Sequence, residues 1–120
     1  MDQTSARRPV GALLVVASYV EAADLRDAFE RRDLGPVTHE RQAFAALEWL
    51  ISGAPTPVVL VIDDTGSTGG RALIAWARAN AVPVLLVDAN EGPGDDAGIL
   101  GLTRPYGDAD LSAAITYLLG

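Results

Sequence analysis

The chain reads as a single α/β domain, a parallel sheet covered by helices on both faces. Three observations predict this. Short β-branched apolar runs alternate with segments of helical spacing along the chain. The most apolar run, Val58 to Ile62, is continuous rather than alternating, as in a strand buried on both faces. An aspartate, Asp63, closes that run, and a glycine-rich loop with Gly66, Gly69 and Gly70 follows it. Open α/β sheets place their functional residues at the C-terminal ends of such strands.

Ala12 to Val16 is the first predicted strand. Ala22, Leu25, Ala28 and Phe29 then recur at helical spacing, and Gly35 with Pro36 ends that helix. Pro36 to His39 is a short, weak strand. Phe44, Leu47, Leu50 and Ile51 give the second helix its apolar face, stopped by Gly53 and Pro55. Val58 to Ile62 is the third strand. Leu73, Trp76 and Ala77 mark a third helix running to about Asn80. Val82 to Val87 and Leu100 to Thr103 are the fourth and fifth strands. Asp108 is placed as the cap of a last helix that turns Leu111, Ile115, Leu118 and Leu119 inward. Between strands four and five, Asn90 to Gly98 contains Gly92, Pro93, Gly94 and Gly98 and is a poor helix by propensity. A mobile loop with a degenerate fourth helix is expected there.

Five strand–helix repeats with right-handed crossovers favour the flavodoxin-like arrangement, a three-layer (βα)5 sandwich with sheet order 2-1-3-4-5. Residues 1–10 are read as an N-terminal tail and 11–120 as the domain. At 120 residues the chain suits one modest core, and almost half of it is apolar. The formal charge of -7 argues against binding nucleic acid through phosphates. There is no cysteine, hence no disulfide, thiol nucleophile or zinc–thiolate site. All nine basic residues are arginine. No apolar run is long enough to span a membrane. Arg7 and Arg8 precede an apolar stretch, but Tyr19, Glu21 and Asp24 follow too soon for a signal peptide. The expected location is the cytoplasm.

The strand ends carry Ala17-Ser18, Asp63-Asp64, Asp88 and Arg104-Pro105. In order and spacing this set resembles the receiver domain of two-component response regulators, from about Gly11 to Gly120. The resemblance implies that Asp63 occupies the phosphoacceptor position and that Arg104-Pro105 replaces a Lys-Pro pair. Tyr106 fits an aromatic after the proline, and Gly70 fits a glycine opening the third helix. The departures are specific. The acidic pair that holds Mg²⁺ is replaced by Ala17 and Ser18. The Thr or Ser after strand four is Asp88, and the switch aromatic of strand five falls at Gly101. Mg²⁺ wants hard oxygen ligands, one or two of them carboxylates. Metal is therefore expected to bind weakly or not at all, with Asp64 or Asp88 as the available substitute ligand. Since guanidinium is always charged and forked, an Asp63–Arg104–Asp88 ion cluster is expected.

These points favour a stand-alone, atypical receiver domain, a pseudo-receiver with no enzymatic activity of its own and no cofactor. It would act as a protein-interaction module in a phosphorelay, its partner a histidine kinase, a phosphotransferase or another signalling protein, with a homodimer as a further option. Membrane and nucleic acid are not expected partners. The first alternative is a phosphorylatable single-domain regulator using Asp63. The second is a flavodoxin-like domain that binds a small molecule in the same crevice. Other features read as structural. Thr65 to Gly70 lacks the lysine and spacing of a P-loop, so it is a plain strand–helix loop. His39, Trp49 and Trp76 are packing residues. Arg26, Arg31 and Arg32, interleaved with Asp24, Asp27, Glu30 and Asp33, form a salt-bridged helix face.

Overall fold

A computed structural model describes residues 11–87 and 98–120. Nine elements follow along them: β1 (Ala12–Val15), α1 (Tyr19–Glu30), β2 (Thr38–Glu40), α2 (Ala43–Ile51), β3 (Val59–Ile62), α3 (Thr68–Ala79), β4 (Val84–Val87), β5 (Ile99–Leu102) and α4 (Asp108–Leu119). The five strands form one sheet in the order β2-β1-β3-β4-β5, and every neighbouring pair is parallel. This is the flavodoxin-like layout that the alternation predicts. The tail at residues 1–10, Asp88 and most of Asn90 to Gly98 lie outside the described residues.

The two-residue period of a strand divides the core. From β1, Ala12 and Leu14, with Val16 beyond its end, face α1 and α4; there they meet Leu25, Phe29, Leu111 and Ile115. Leu13 and Val15 face the other way, with Leu60 and Ile62 of β3, onto Ala46, Leu50, Leu73 and Ala77 of α2 and α3. Both faces of the central strands are dry, which is why these strands read as continuous apolar runs. Each fully buried Leu or Phe side chain contributes roughly 1.5–3 kcal/mol. Among the described residues no polar or charged residue is buried.

Helix α1 packs as its spacing predicts, with Ala22, Leu25, Ala28 and Phe29 buried. Helix α2 does not. Its buried residues are Ala43, Ala46 and Leu50, while Phe44 and Ile51 are 57% and 68% exposed. The inward stripe is Ala43, Ala46 and Leu50, and Phe44 and Ile51 stand on its flank. Strand β2 begins at Thr38, two residues later than the sequence indicates. Helix α4 is capped at Gly107, not Asp108; the Gly107 amide donates to the Asp110 carboxylate at 2.9 Å. Asp108 is the first helical residue, and Leu119 is 36% exposed rather than inward.

Candidate functional site

The parallel sheet brings the C-terminal ends of β1, β3 and β5 to one edge. Asp63 follows β3 directly, its amide donating to the Val15 carbonyl of β1 at 3.2 Å. That bond holds the aspartate beside the loop after β1. The Asp63 Oδ2 accepts a hydrogen bond from the Ala17 amide at 3.1 Å. Arg104, after β5, approaches the same oxygen with Nη2 at 3.5 Å. The Asp63 side chain is only 16% exposed. The expected pairing of Asp63 with Arg104 is therefore present, though long for a hydrogen bond. The third member proposed for that cluster, Asp88, is outside the described residues.

The stronger partner of Arg104 is Glu21, in the first turn of α1. Arg104 Nη2 reaches Glu21 Oε1 at 2.5 Å and Nε reaches Oε2 at 3.0 Å, a forked pair. The Tyr106 hydroxyl donates to the same Oε2 at 2.8 Å. Burial pushes the Glu21 carboxyl up, but the hydrogen bonds from Arg104 and Tyr106 and the guanidinium charge outweigh it. The carboxyl is held below its ordinary value. Tyr106 moves the opposite way. Burial, its bond to Glu21 and the nearby carboxylate charge push its ionisation above the ordinary tyrosine range. The Arg104–Pro105 peptide between these two donors is cis.

Glu21 is the residue that sequence reasoning missed. It looks like an ordinary acidic residue at the start of a helix, where the dipole favours it. The signal that points to it is an imbalance. The loop after β1 offers no carboxylate at Ala17 or Ser18, and Glu21 is the next acidic residue along the chain.

Ser18 is committed elsewhere. Its hydroxyl caps α1 by accepting from the Glu21 amide at 3.2 Å. Ala17 supplies a backbone amide to Asp63 but no ligand oxygen from its side chain. Asp64, the candidate substitute ligand, is a turn residue. Its Oδ1 accepts from the Gly66 and Ser67 amides at 3.3 and 3.0 Å, and its Oδ2 from the Ser67 hydroxyl at 2.5 Å. These bonds from the Ser67 side chain and backbone hold the Asp64 carboxyl below its usual range despite some burial. Ser67 in turn caps α3 through the Gly70 amide at 3.0 Å. Gly70 is required by space: a Cβ there would stand 2.0 Å from the Asp64 carbonyl oxygen. Thr65 to Gly70 is thus a strand–helix turn, as its composition indicates. Among the described residues no group of three or more His, Cys, Asp or Glu is placed to hold a metal ion.

A brace stands on the other side of the loop after β1. His39 Nε2 lies 2.9 Å from the Val16 carbonyl, and Arg41 Nε donates to the Ala17 carbonyl at 3.0 Å. The Tyr19 ring meets the edge of His39 at 5.7 Å and carries the Arg41 guanidinium 4.9 Å from its centroid. His39 is therefore a packing residue that fixes the loop bearing Ala17. Farther down α1, Arg31 pairs with Asp27 at 2.9 Å and bridges to Asp108 of α4 at 3.2 Å. A groove of about 880 Å³ opens between α1 and the start of α4, with Glu21, Asp24, Asp63, Arg104, Tyr106 and Asp108 on its walls.

Compared by sequence, the chain matches no protein-family model and no curated protein. Its likeness to known proteins is one of structure. It is similar to the signal receiver domain of a signal transduction histidine kinase from Syntrophus aciditrophicus, with a TM-score of 0.68 and 23% identity over 92% of this chain and 90% of that one. SdrG from Sphingomonas melonis Fr1 gives a TM-score of 0.67 and 20% identity over 93% of this chain and 98% of its own. The chain has the receiver-domain fold. The PhyR stress response regulator also matches, with a TM-score of 0.65 and 21% identity over 98% of this chain. The receiver-like chain spans about half of PhyR, 48% of its length. No helix among the described residues is long and apolar enough to cross a membrane.

Proposed function

We propose that this chain is an atypical receiver domain that works as a protein-interaction module in two-component signalling. Its Mg²⁺-dependent phosphorylation on Asp63 is impaired or lost, and it catalyses no reaction of its own. One observation carries the reading: the loop after β1 brings Asp63 a backbone amide and no carboxylate, and its only hydroxyl, that of Ser18, caps α1. Phosphoryl transfer to an aspartate depends on positioning and on neutralising developing charge. Without a metal that task falls to Arg104, whose fork is turned to Glu21. The partner is a histidine kinase, a phosphotransferase or another signalling protein of the cytoplasm.

A second reading, a phosphorylatable regulator, is favoured by one feature. Arg104 Nη2 stands 3.5 Å from Asp63 Oδ2, close enough to turn toward an anion there. Incubation with acetyl phosphate and Mg²⁺, followed by intact-mass measurement of the chain and of Asp63→Asn, separates the two. The proposal expects little or no phosphorylated species. A near-complete shift by one phosphoryl group, abolished in Asp63→Asn, refutes it in favour of the second reading. Cofactor-free partner binding is checked in the same preparation, with Asp63→Asn expected to retain the partner of the unmodified chain.

A further inference from the structure

We propose that Arg104 and Tyr106 form a carboxylate clamp, that Glu21 is its built-in occupant, and that Glu21 thereby gates anion binding at Asp63. The inference rests on the receiver reading and assigns the regulation of that site to a residue outside the usual set of strand-end positions.

The geometry shows where the guanidinium is committed. Two of its nitrogens grip the two Glu21 oxygens at 2.5 and 3.0 Å, while Asp63 receives a single contact at 3.5 Å from a nitrogen already shared with Glu21. Tyr106 adds a third donor to Glu21 and none to Asp63 among the described contacts. The clamp is sheltered, with the Glu21 side chain 14% exposed. Its backbone is also fixed, since the Glu21 amide is the group that Ser18 caps. The carboxylate therefore stands in place with little conformational freedom to lose, which makes it a strong competitor for the arginine.

An anion built on Asp63 adds negative charge beside two carboxylates. Among the described residues of the groove wall the nearest cation is Arg104; the other arginine there, Arg31, is paired with Asp27 and Asp108. Arg104 Nη2 is shared between Glu21 and Asp63, so a closer grip on that anion competes with its short bond to Glu21. The threshold for occupancy of Asp63 is thus set by a residue on α1, and a partner that pulls α1 or neutralises Glu21 lowers it.

The test uses the whole chain and fluoroberyllate with Mg²⁺, comparing wild type with Glu21→Gln. The glutamine keeps the volume and the acceptor for Tyr106 while removing the charge. Two signals are followed by NMR: the Arg104 Nε–H, which reports the clamp without any anion, and the Ala17 amide, which reports Asp63. The expected result is a slowly exchanging Arg104 Nε–H in wild type, its release in Glu21→Gln, and at least about tenfold tighter fluoroberyllate binding by the variant. An Arg104 Nε–H unchanged by Glu21→Gln overturns the clamp, whatever fluoroberyllate does. Release of that signal with equal fluoroberyllate affinity in both proteins overturns the gate. Release with no binding by either protein overturns the gate, while leaving the clamp and the proposed function, in which phosphorylation of Asp63 is impaired or lost, standing.

Discussion

Replacing Arg104 by alanine removes both arms of the grip on Glu21 and the long contact to Asp63. Among the described residues Glu21 then keeps the Tyr106 hydroxyl, yet its side chain is 14% exposed and cannot regain full hydration. A hydrogen bond to a charged group is worth about 1.5–3 kcal/mol when water is excluded. Arg104 is itself 37% exposed, so screening reduces the figure for the whole pair to about 1–2 kcal/mol. For a domain of this size that loss lowers the melting temperature by roughly 4–8 °C. The pH dependence identifies the partner. Because the folded-state Glu21 carboxyl sits below its ordinary value of 4.5, its contribution is complete above that pH and disappears as pH falls through the depressed value. The Arg104→Ala penalty should therefore be full at neutral pH and shrink in acid. Urea unfolding of wild type, Arg104→Ala, Glu21→Gln and the double variant measures both effects, with an expected coupling of about 1 kcal/mol or more at neutral pH. Additive losses, or a penalty that stays constant into acid, would refute the reasoning.

Gly70→Ala should destabilise the chain by about 1–3 kcal/mol or prevent its folding, because the new methyl meets the Asp64 backbone; a urea midpoint equal to wild type would show that the β3–α3 turn gives way freely. Tyr106 should contribute a phenolate absorbance step well above its ordinary value of 10.0, absent in Tyr106→Phe and moved down in Glu21→Gln, where the neighbouring charge is gone. Since its ionisation is raised in the folded chain, the stability tied to Tyr106 is whole below that ordinary value and is lost as pH rises through the elevated one.

The sheet was legible because burial on both faces leaves a plain mark, unbroken runs such as Val59–Ile62. Its order followed from the handedness of crossovers. Helix α1 was legible for a similar reason: its four buried residues are large or small apolar groups at regular spacing. Helix α2 misled because size is a poor guide where a helix lies close to a sheet. Ala43 and Ala46 face inward with Leu50, and Phe44 stands on the flank, its ring about 3 Å from where a Cβ at Gly69 would stand. The caps were half legible. Asp108 is a good capping type in the right place, but the Asp110 carboxylate, reaching back to the Gly107 amide, starts the helix one residue earlier.

The site divides along a different line. Asp63 and Arg104 could be placed from sequence because each directly follows a strand, and strand ends in a parallel sheet share an edge. Asp64 could be placed but not understood, since a carboxylate that closes its own turn resembles a free ligand until its hydrogen bonds are known. Glu21 lies 83 residues from Arg104, and nothing in its local sequence separates it from other acidic residues of a first helical turn. What distinguishes it is charge balance. Ala17 and Ser18 offer Arg104 no carboxylate, and acidic groups elsewhere answer its charge. Glu21 meets that demand at short range, whereas Asp63 meets it only at 3.5 Å. Arg104 thus takes a short-range counter-ion from α1. That is why the chain can keep the receiver-domain fold and an aspartate after β3 while its charge is balanced from within.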